Sequence, residues 1–281
     1  MTDVLNGAVC DNEDAKEKDM IEHVDENDGD LDSLTCEGDL LCLDTTDVSD
    51  AHSCPCASPT SPLEHDLALS HCIILDWDDT LMASSELERL FASKVPNEKP
   101  TPHNIWKDEQ FVKDCRVLFR GLELKVVQLI ASLKLLGEIH IVTNSTEGWV
   151  QFSCQHLMPL VWESIKNLPI FSARTMHELA YPNDYHMWKL LTFKSCVKLH
   201  HKFVLSIGDN PIDYKAALST GTYYNLPVKN IKFILQPSLQ GLENQISHII
   251  PLLFKIYQSP SHVIAWSHLF EADRIQFVLM L

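Results

Sequence analysis

The sequence predicts an α/β protein, a doubly wound and mostly parallel sheet with helices on both faces. Three observations carry that expectation. Apolar runs at 72–75, 139–142 and 203–207 are long enough for buried strands, and each stops abruptly at polar residues. Segments of helix formers long enough for crossovers lie between them, which argues for parallel strands. The stops themselves are chemically loaded: Asp76, Asp78, Asp79 and Thr80; then Thr143, Asn144 and Ser145; then Gly208, Asp209 and, four positions on, Asp213. Strand ends of an open α/β sheet are where such folds place their ligands.

The elements follow in order. Up to Asp66 there are 19 acidic residues and two basic ones, Lys16 and Lys18, whereas the remainder holds 20 of each. The formal charge of −17 therefore resides in the N-terminal segment, which also lacks Phe, Tyr and Trp. Residues 1–69 are expected to form a disordered acidic tail, ending in a Ser-, Pro- and Thr-rich linker at 52–62. A strand is expected at about 71–76, then helical material at 85–136 broken at 96–102. Further strands are expected near 138–143, 169–173, 202–207 and 222–226, with a last one near 231–235 before Pro237. Asp184 opens a helix that runs to Cys196 and carries Lys189. Asn210 caps another, with Pro211 at its first position. A long helix should reach about Tyr257, so the folded domain spans 70–258, and 259–281 is an apolar extension without an assigned place.

Three carboxylates at the end of a buried strand repel one another and lose hydration, so the arrangement calls for a cation. A hard divalent ion bound by carboxylate oxygens is the natural one, with Mg²⁺ favoured where phosphate is the substrate. Asp79 alone reads as a solvated turn residue.

The order and spacing of these residues resemble the haloacid dehalogenase-like hydrolase superfamily, most of whose members are phosphatases or phosphotransferases. Its D-x-D-x-T motif matches Asp76, Asp78 and Thr80, and its strand-terminal Thr or Ser matches Thr143. Its helix-borne Lys is best matched by Lys189, and its G-D-x-x-x-D motif by Gly208, Asp209 and Asp213. The resemblance covers about residues 70–236, and the wording DWDDTL is similar to a protist and microbial subgroup with a minimal cap. Trp77 departs from the small or aliphatic residue usual between the two aspartates. The resemblance implies Asp76 as nucleophile forming an aspartyl-phosphate, and Asp78 as acid and then base. It implies Thr143 and Lys189 on the phosphoryl oxygens. Read as residues alone, Thr143 could merely end its strand, with Asn144 or Ser145 taking the phosphate, and Lys189 could be a surface lysine, since Lys194 and Lys198 are expected on the same helical stretch. Mg²⁺ would be held by Asp76, the Asp78 carbonyl and Asp209, with Asp213 touching the metal through water or orienting Lys189.

From Asp76 to Thr143 is 67 positions, which leaves room for a small helical cover at most, and the ten or so residues before the Lys189 helix exclude a second cap. An open site leans towards a bulky or macromolecular phosphorylated substrate, either a small molecule or a phosphoprotein, or towards closure by an oligomeric partner. The expectation is a cytoplasmic Mg²⁺-dependent phosphatase. The alternatives are a phosphotransferase, or a non-catalytic binding protein that keeps the fold and acts through its acidic tail on a basic partner. Nucleic acid is not expected as a partner, because the tail would be repelled by phosphates and no basic patch stands out. No membrane span or signal peptide is expected. The nine cysteines are odd in number, with no C-x-x-C pair, which suits reduced thiols.

Overall fold

A computed structural model describes residues 70–259, 263–270 and 274–280. The acidic tail and linker expected at 1–69 lie outside the described residues. The sheet is built on five parallel strands: β1 (Cys72–Leu75), β2 (Glu138–Thr143), β3 (Ile170–Ser172), β4 (Val204–Gly208) and β5 (Val228–Lys232). Their spatial order is β3-β2-β1-β4-β5, so the chain moves outward one way from β1, then returns to β1's other side with β4. That reversal between β1 and β4 opens a crevice at the carboxyl ends of the two strands.

The strands form where the sequence is apolar on both faces. Every residue of β1 is buried, with Ile73 and Leu75 facing one helical layer and Cys72 and Ile74 the other. The first layer holds α1 (Ser84–Lys94), α2 (Pro102–Lys107), α3 (Glu109–Leu118) and α4 (Arg120–Lys134). It also holds α5 (Trp149–Leu157), α6 (Pro159–Ile165), α10 (Leu239–Ile249) and α11 (Leu253–Gln258), represented in that core by Leu87, Ile105, Phe111, Leu129, Cys154, Val161, Ile246 and Ile256. The second layer holds α7 (Ala173–His177), α8 (Tyr185–Cys196) and α9 (Pro211–Tyr224), through Ala173, Trp188 and Ala216. Helices on both faces make the sheet doubly wound, a Rossmann-like arrangement.

The helix starts carry the expected chemistry. The Asp184 side chain accepts from Met187 N–H at the start of α8, and the Asn210 side chain from Ile212 N–H at the start of α9, with Pro211 in the first turn. The helical stretch after β1 breaks at Val95 and again at Asp108, where the Asp108 carboxylate accepts from Phe111 N–H and restarts the chain as α3. Its apolar residues join the first core, and Leu87, Glu88 and Ile105 also line the crevice, so α1 to α3 form the small helical cover that the sequence has room for.

The structure corrects three expectations. Residues 222–224 are the last turn of α9, which ends at Asn225 in the left-handed conformation (φ 54°), so no strand forms at 222–226. The aromatic pair Tyr223 and Tyr224 suits a strand, but a helix already nucleated at Asn210 runs on until Asn225 stops it. The last core strand is β5, starting three residues before the expected 231; buried Lys229 and Asn230 interrupt its apolar run and hide its start. The long C-terminal helix is divided between Ile249 and Leu253 by a 3₁₀ turn at Pro251. The unassigned extension finds a place: β6 (Val263–Phe270) pairs parallel with β5, and β7 (Arg274–Met280) pairs antiparallel with β6. No helix among the described residues is long and apolar enough to cross a membrane.

Candidate active site

Asp76 follows the last residue of β1, and its N–H donates to the Ile207 carbonyl of β4 (2.9 Å), so the two strands stay paired up to the crevice. The chain then turns sharply. The Trp77 carbonyl accepts from Leu81 N–H (2.9 Å) and Met82 N–H (3.0 Å), and Asp79 adopts φ 54°. Alternation sends the Trp77 indole away from the crevice into the first core, where it is fully buried and donates to Ser153 Oγ of α5 (3.1 Å). A large residue between the aspartates is therefore an anchor of the turn. Asp79 is buried too, accepting from both the N–H (2.9 Å) and the hydroxyl of Ser85 in the first turn of α1. It fastens that helix to the turn, which corrects its reading as a solvated residue.

At the crevice floor is a charge cluster. Lys189 of α8, buried, places its ammonium 2.6 Å from Asp76 Oδ1, 2.7 Å from Asp213 Oδ1 and 2.7 Å from the Val142 carbonyl. Hydrogen bonds to Asp76 and to the Val142 carbonyl use two of the ammonium's three protons, and Asp213 is its second ion-pair partner. Burial alone would lower the Lys189 pKa, but Asp213 and Asp76 outweigh it and hold the amine firmly protonated. Asp213 thus orients Lys189, one of its two expected roles. Lys194 and Lys198 stand elsewhere: Lys194 over the Tyr223 ring and Lys198 on Glu138.

Asp209 follows β4, its N–H donating to Thr80 Oγ1 (3.0 Å), while the Thr80 hydroxyl donates to Asp76 Oδ2 (3.4 Å). Thr80 therefore ties the two acidic loops together. Gly208 is needed between them, because a Cβ there would stand 2.7 Å from Asp213 Oδ2. Carboxylate oxygens of Asp76, Asp209 and Asp213 all lie within 4.8 Å of one another. Burial, then the Asp213 charge, pushes Asp76 well above the usual carboxylate range despite Lys189. Burial, then Asp213 and Asp79, raises Asp209 to about 7. Lys232 donates to the Asp209 carbonyl but does not offset this. Three buried carboxylates against one shared ammonium cannot all ionise, which is the donor set and charge deficit that a hard divalent cation would meet.

Asp78 stands apart from that group. Its carboxylate accepts four hydrogen bonds: to Oδ1 from Ser84 Oγ (2.5 Å) and Trp149 Nε1 (2.8 Å), and to Oδ2 from Ser145 Oγ (2.7 Å) and Thr143 Oγ1 (3.1 Å). Thr143 ends β2, Ser145 belongs to the loop after it, and Trp149 opens α5, so three successive parts of one connection converge on Asp78. The sequence marked Thr143 and raised Ser145 as an alternative. Ser84 and Trp149 carry no local signal, because what selects them is the fold bringing α1 and α5 to the same point. Asn144 turns aside, its amide donating to the Tyr185 carbonyl (3.3 Å). Asp76, Asp78, Lys189, Asp209 and Asp213 line one cavity of about 600 Å³, together with Glu88, Ile105 and Arg174 of α7; Thr143 reaches it only through Asp78.

A second set of possible ligand atoms, Glu138, His200 and His201, sits at the start of β2, the opposite end of the strands. Its chemistry is that of an ion-paired knot. His201 Nδ1 accepts from Lys198 N–H (2.9 Å), which leaves the proton on Nε2, facing Glu138 Oε2 at 3.7 Å. The Lys198 ammonium and His200 Nε2 also contact Glu138, and these bonds outweigh burial to hold the carboxyl below its ordinary range. Of the described cysteines, Cys72, Cys115, Cys154 and Cys196 are buried free thiols. No protein-family model, no curated protein and no solved structure matches this chain.

Proposed function

We propose that this chain is a Mg²⁺-dependent phosphatase of the haloacid dehalogenase-like type, hydrolysing a phosphomonoester through a phosphorylated aspartate. One observation carries the reading: Asp76 and Asp78, two residues apart on a single strand end, reach into one cavity yet have opposite surroundings. Asp76 lies in the charge cluster and Asp78 in a ring of neutral donors. Double displacement needs that division, a nucleophile beside positive charge and a separate proton carrier. The motif resemblance supports the same assignment, as does the position of both residues at the β1/β4 reversal.

In the first step an Asp76 oxygen forms a bond to phosphorus while the ester P–O bond breaks, and Asp78 gives its proton to the leaving oxygen. In the second, Asp78 takes a proton from water as the water oxygen bonds to phosphorus and the Asp76–phosphorus bond breaks, returning the carboxylate and releasing phosphate. Lys189 fixes the rotamer of Asp76 by a hydrogen bond and lends its charge to the face where the phosphoryl group is attacked. Thr143 and Ser145 each spend their one hydroxyl proton on Asp78 and hold it at the reacting face. Asp76, Asp209 and Asp213 would hold Mg²⁺. When bound, the ion supplies positive charge against the phosphoryl group, where transfer depends mostly on positioning and neutralisation.

The test is phosphate release from phenyl phosphate by the full chain. Release should require Mg²⁺, stop with chelator and disappear in Asp76→Asn. Activity that persists in chelator, or that is absent under every divalent ion tried, would defeat the reading.

A further inference from the structure

Beside the acidic cavity lies a second, more open one of about 730 Å³, lined by Trp106, Gly148, Trp149 and Phe152 together with Lys107 and Glu147. The two cavities share Thr146 and Trp149. Trp149, Phe152 and His156 recur at i, i+3 and i+7 of α5 and so occupy one helix face. Trp106 of α2 leans against all three, its ring centroid 6.0 Å from Trp149, 5.0 Å from Phe152 and 5.5 Å from His156. At the start of α5, Gly148 holds φ 83°, and a Cβ there would meet nothing within 4 Å, so the backbone leaves this side open.

Trp149 joins the two cavities. Its N–H binds Asp78 Oδ1, and its ring is a wall of the second cavity. On the phosphatase reading, on which this inference rests, Asp78 protonates the leaving oxygen, so the group that departs does so alongside Trp149. We infer that the second cavity is the leaving-group subsite and that it takes a planar aromatic ring carried by the phosphomonoester. Aromatic faces and edges reward such a ring by stacking and edge-to-face contact. A bare polyol would find few polar partners there. The ring could be bonded directly to the ester oxygen, as in an aryl phosphate, or stand one sugar away, as in a nucleoside monophosphate.

The experiment compares kcat/KM for phenyl phosphate, a nucleoside 5′-monophosphate and glycerol 3-phosphate in the wild-type chain, Trp106→Leu and Phe152→Leu, with Mg²⁺ present. At least one aromatic ester should be preferred over glycerol 3-phosphate by about tenfold. Each variant should lose roughly three- to tenfold on that ester through KM, with glycerol 3-phosphate unchanged. Whichever aromatic ester is preferred fixes the ring's distance from phosphorus. Equal efficiency on all three esters, or an equal loss on glycerol 3-phosphate, would overturn the subsite. Binding of phenylphosphonate against methylphosphonate, followed by calorimetry, separates the two readings. Tighter phenylphosphonate binding that depends on Trp106, in a protein that hydrolyses no ester, would leave the subsite standing and remove the catalytic reading. Equal binding of the two phosphonates would remove the subsite.

Discussion

Asp76 and Asp78 leave the same strand two residues apart, yet they are held in opposite ways. Asp76 shares one ammonium with Asp213 and stands among acidic neighbours, so its surroundings are dominated by charge and left short of cations. Asp78 is gripped by two serines, a threonine and an indole, neutral groups that fix its position without changing the charge count. The difference teaches that a single acidic motif can supply two chemistries. Both aspartates point to the crevice side, but the chain turns sharply at Trp77, so each lands on a different neighbour: Asp76 on α8 and the loop after β4, Asp78 on the loop after β2 and the start of α5.

The strongest way to break this comparison is to remove the charged side. Asp76→Asn keeps shape and should leave the Asp78 ring intact, yet turnover should fall by about four orders of magnitude or more. Steady-state kinetics checks this, with circular dichroism confirming the fold; retention of a tenth of the activity would take Asp76 out of the nucleophile's role. Next in size is Asp209→Asn. It should weaken Mg²⁺ binding by at least about a hundredfold, read by calorimetric titration, because no other carboxylate follows β4 at that position.

The neutral side should respond differently. Trp149→Phe removes one donor to a carboxylate, worth about 1.5–3 kcal/mol, and should lower kcat/KM roughly ten- to a hundredfold while Mg²⁺ affinity stays the same. A comparable loss of metal affinity in that variant would show that the two sides are not separate.

The smallest effect is on stability. In the folded, metal-free chain Asp209 keeps its proton to about 7, against an ordinary value of 3.8. Between those values the native state binds more protons than the unfolded state, so stability falls as pH rises from about 4 to about 7 and is level above. Thermal melts in chelator should show that decline, and Mg²⁺ should restore stability most at the upper end. Asp209→Asn should flatten the slope; an unchanged slope would assign it to other groups.

Much of this site was legible because its signals are local. Asp76, Asp78 and Asp209 stand where apolar strands stop, and periodicity alone locates those stops. Lys189 was legible from its helix and its place before β4, but its pairing with Asp213 depends on two helices, α8 and α9, packing side by side. Ser84 and Trp149 were illegible for the same reason: nothing in their neighbourhoods points to Asp78 until α1 and α5 pack around the crevice. The strand β5 was misplaced because buried Lys229, whose ammonium bonds the Tyr257 carbonyl and lies over the Phe203 ring, breaks the apolar pattern. Tertiary partners there override a local hydropathy rule.

The central claim is that Asp76 becomes phosphorylated. The direct measurement is acid quench of a single turnover, followed by borohydride reduction, which converts a phosphorylated aspartate to homoserine, and peptide mapping. Homoserine should appear at position 76 alone, only with Mg²⁺ and substrate present. Homoserine at Asp78 or Asp209, or phosphate release with no modified aspartate at any quench time, would contradict the account.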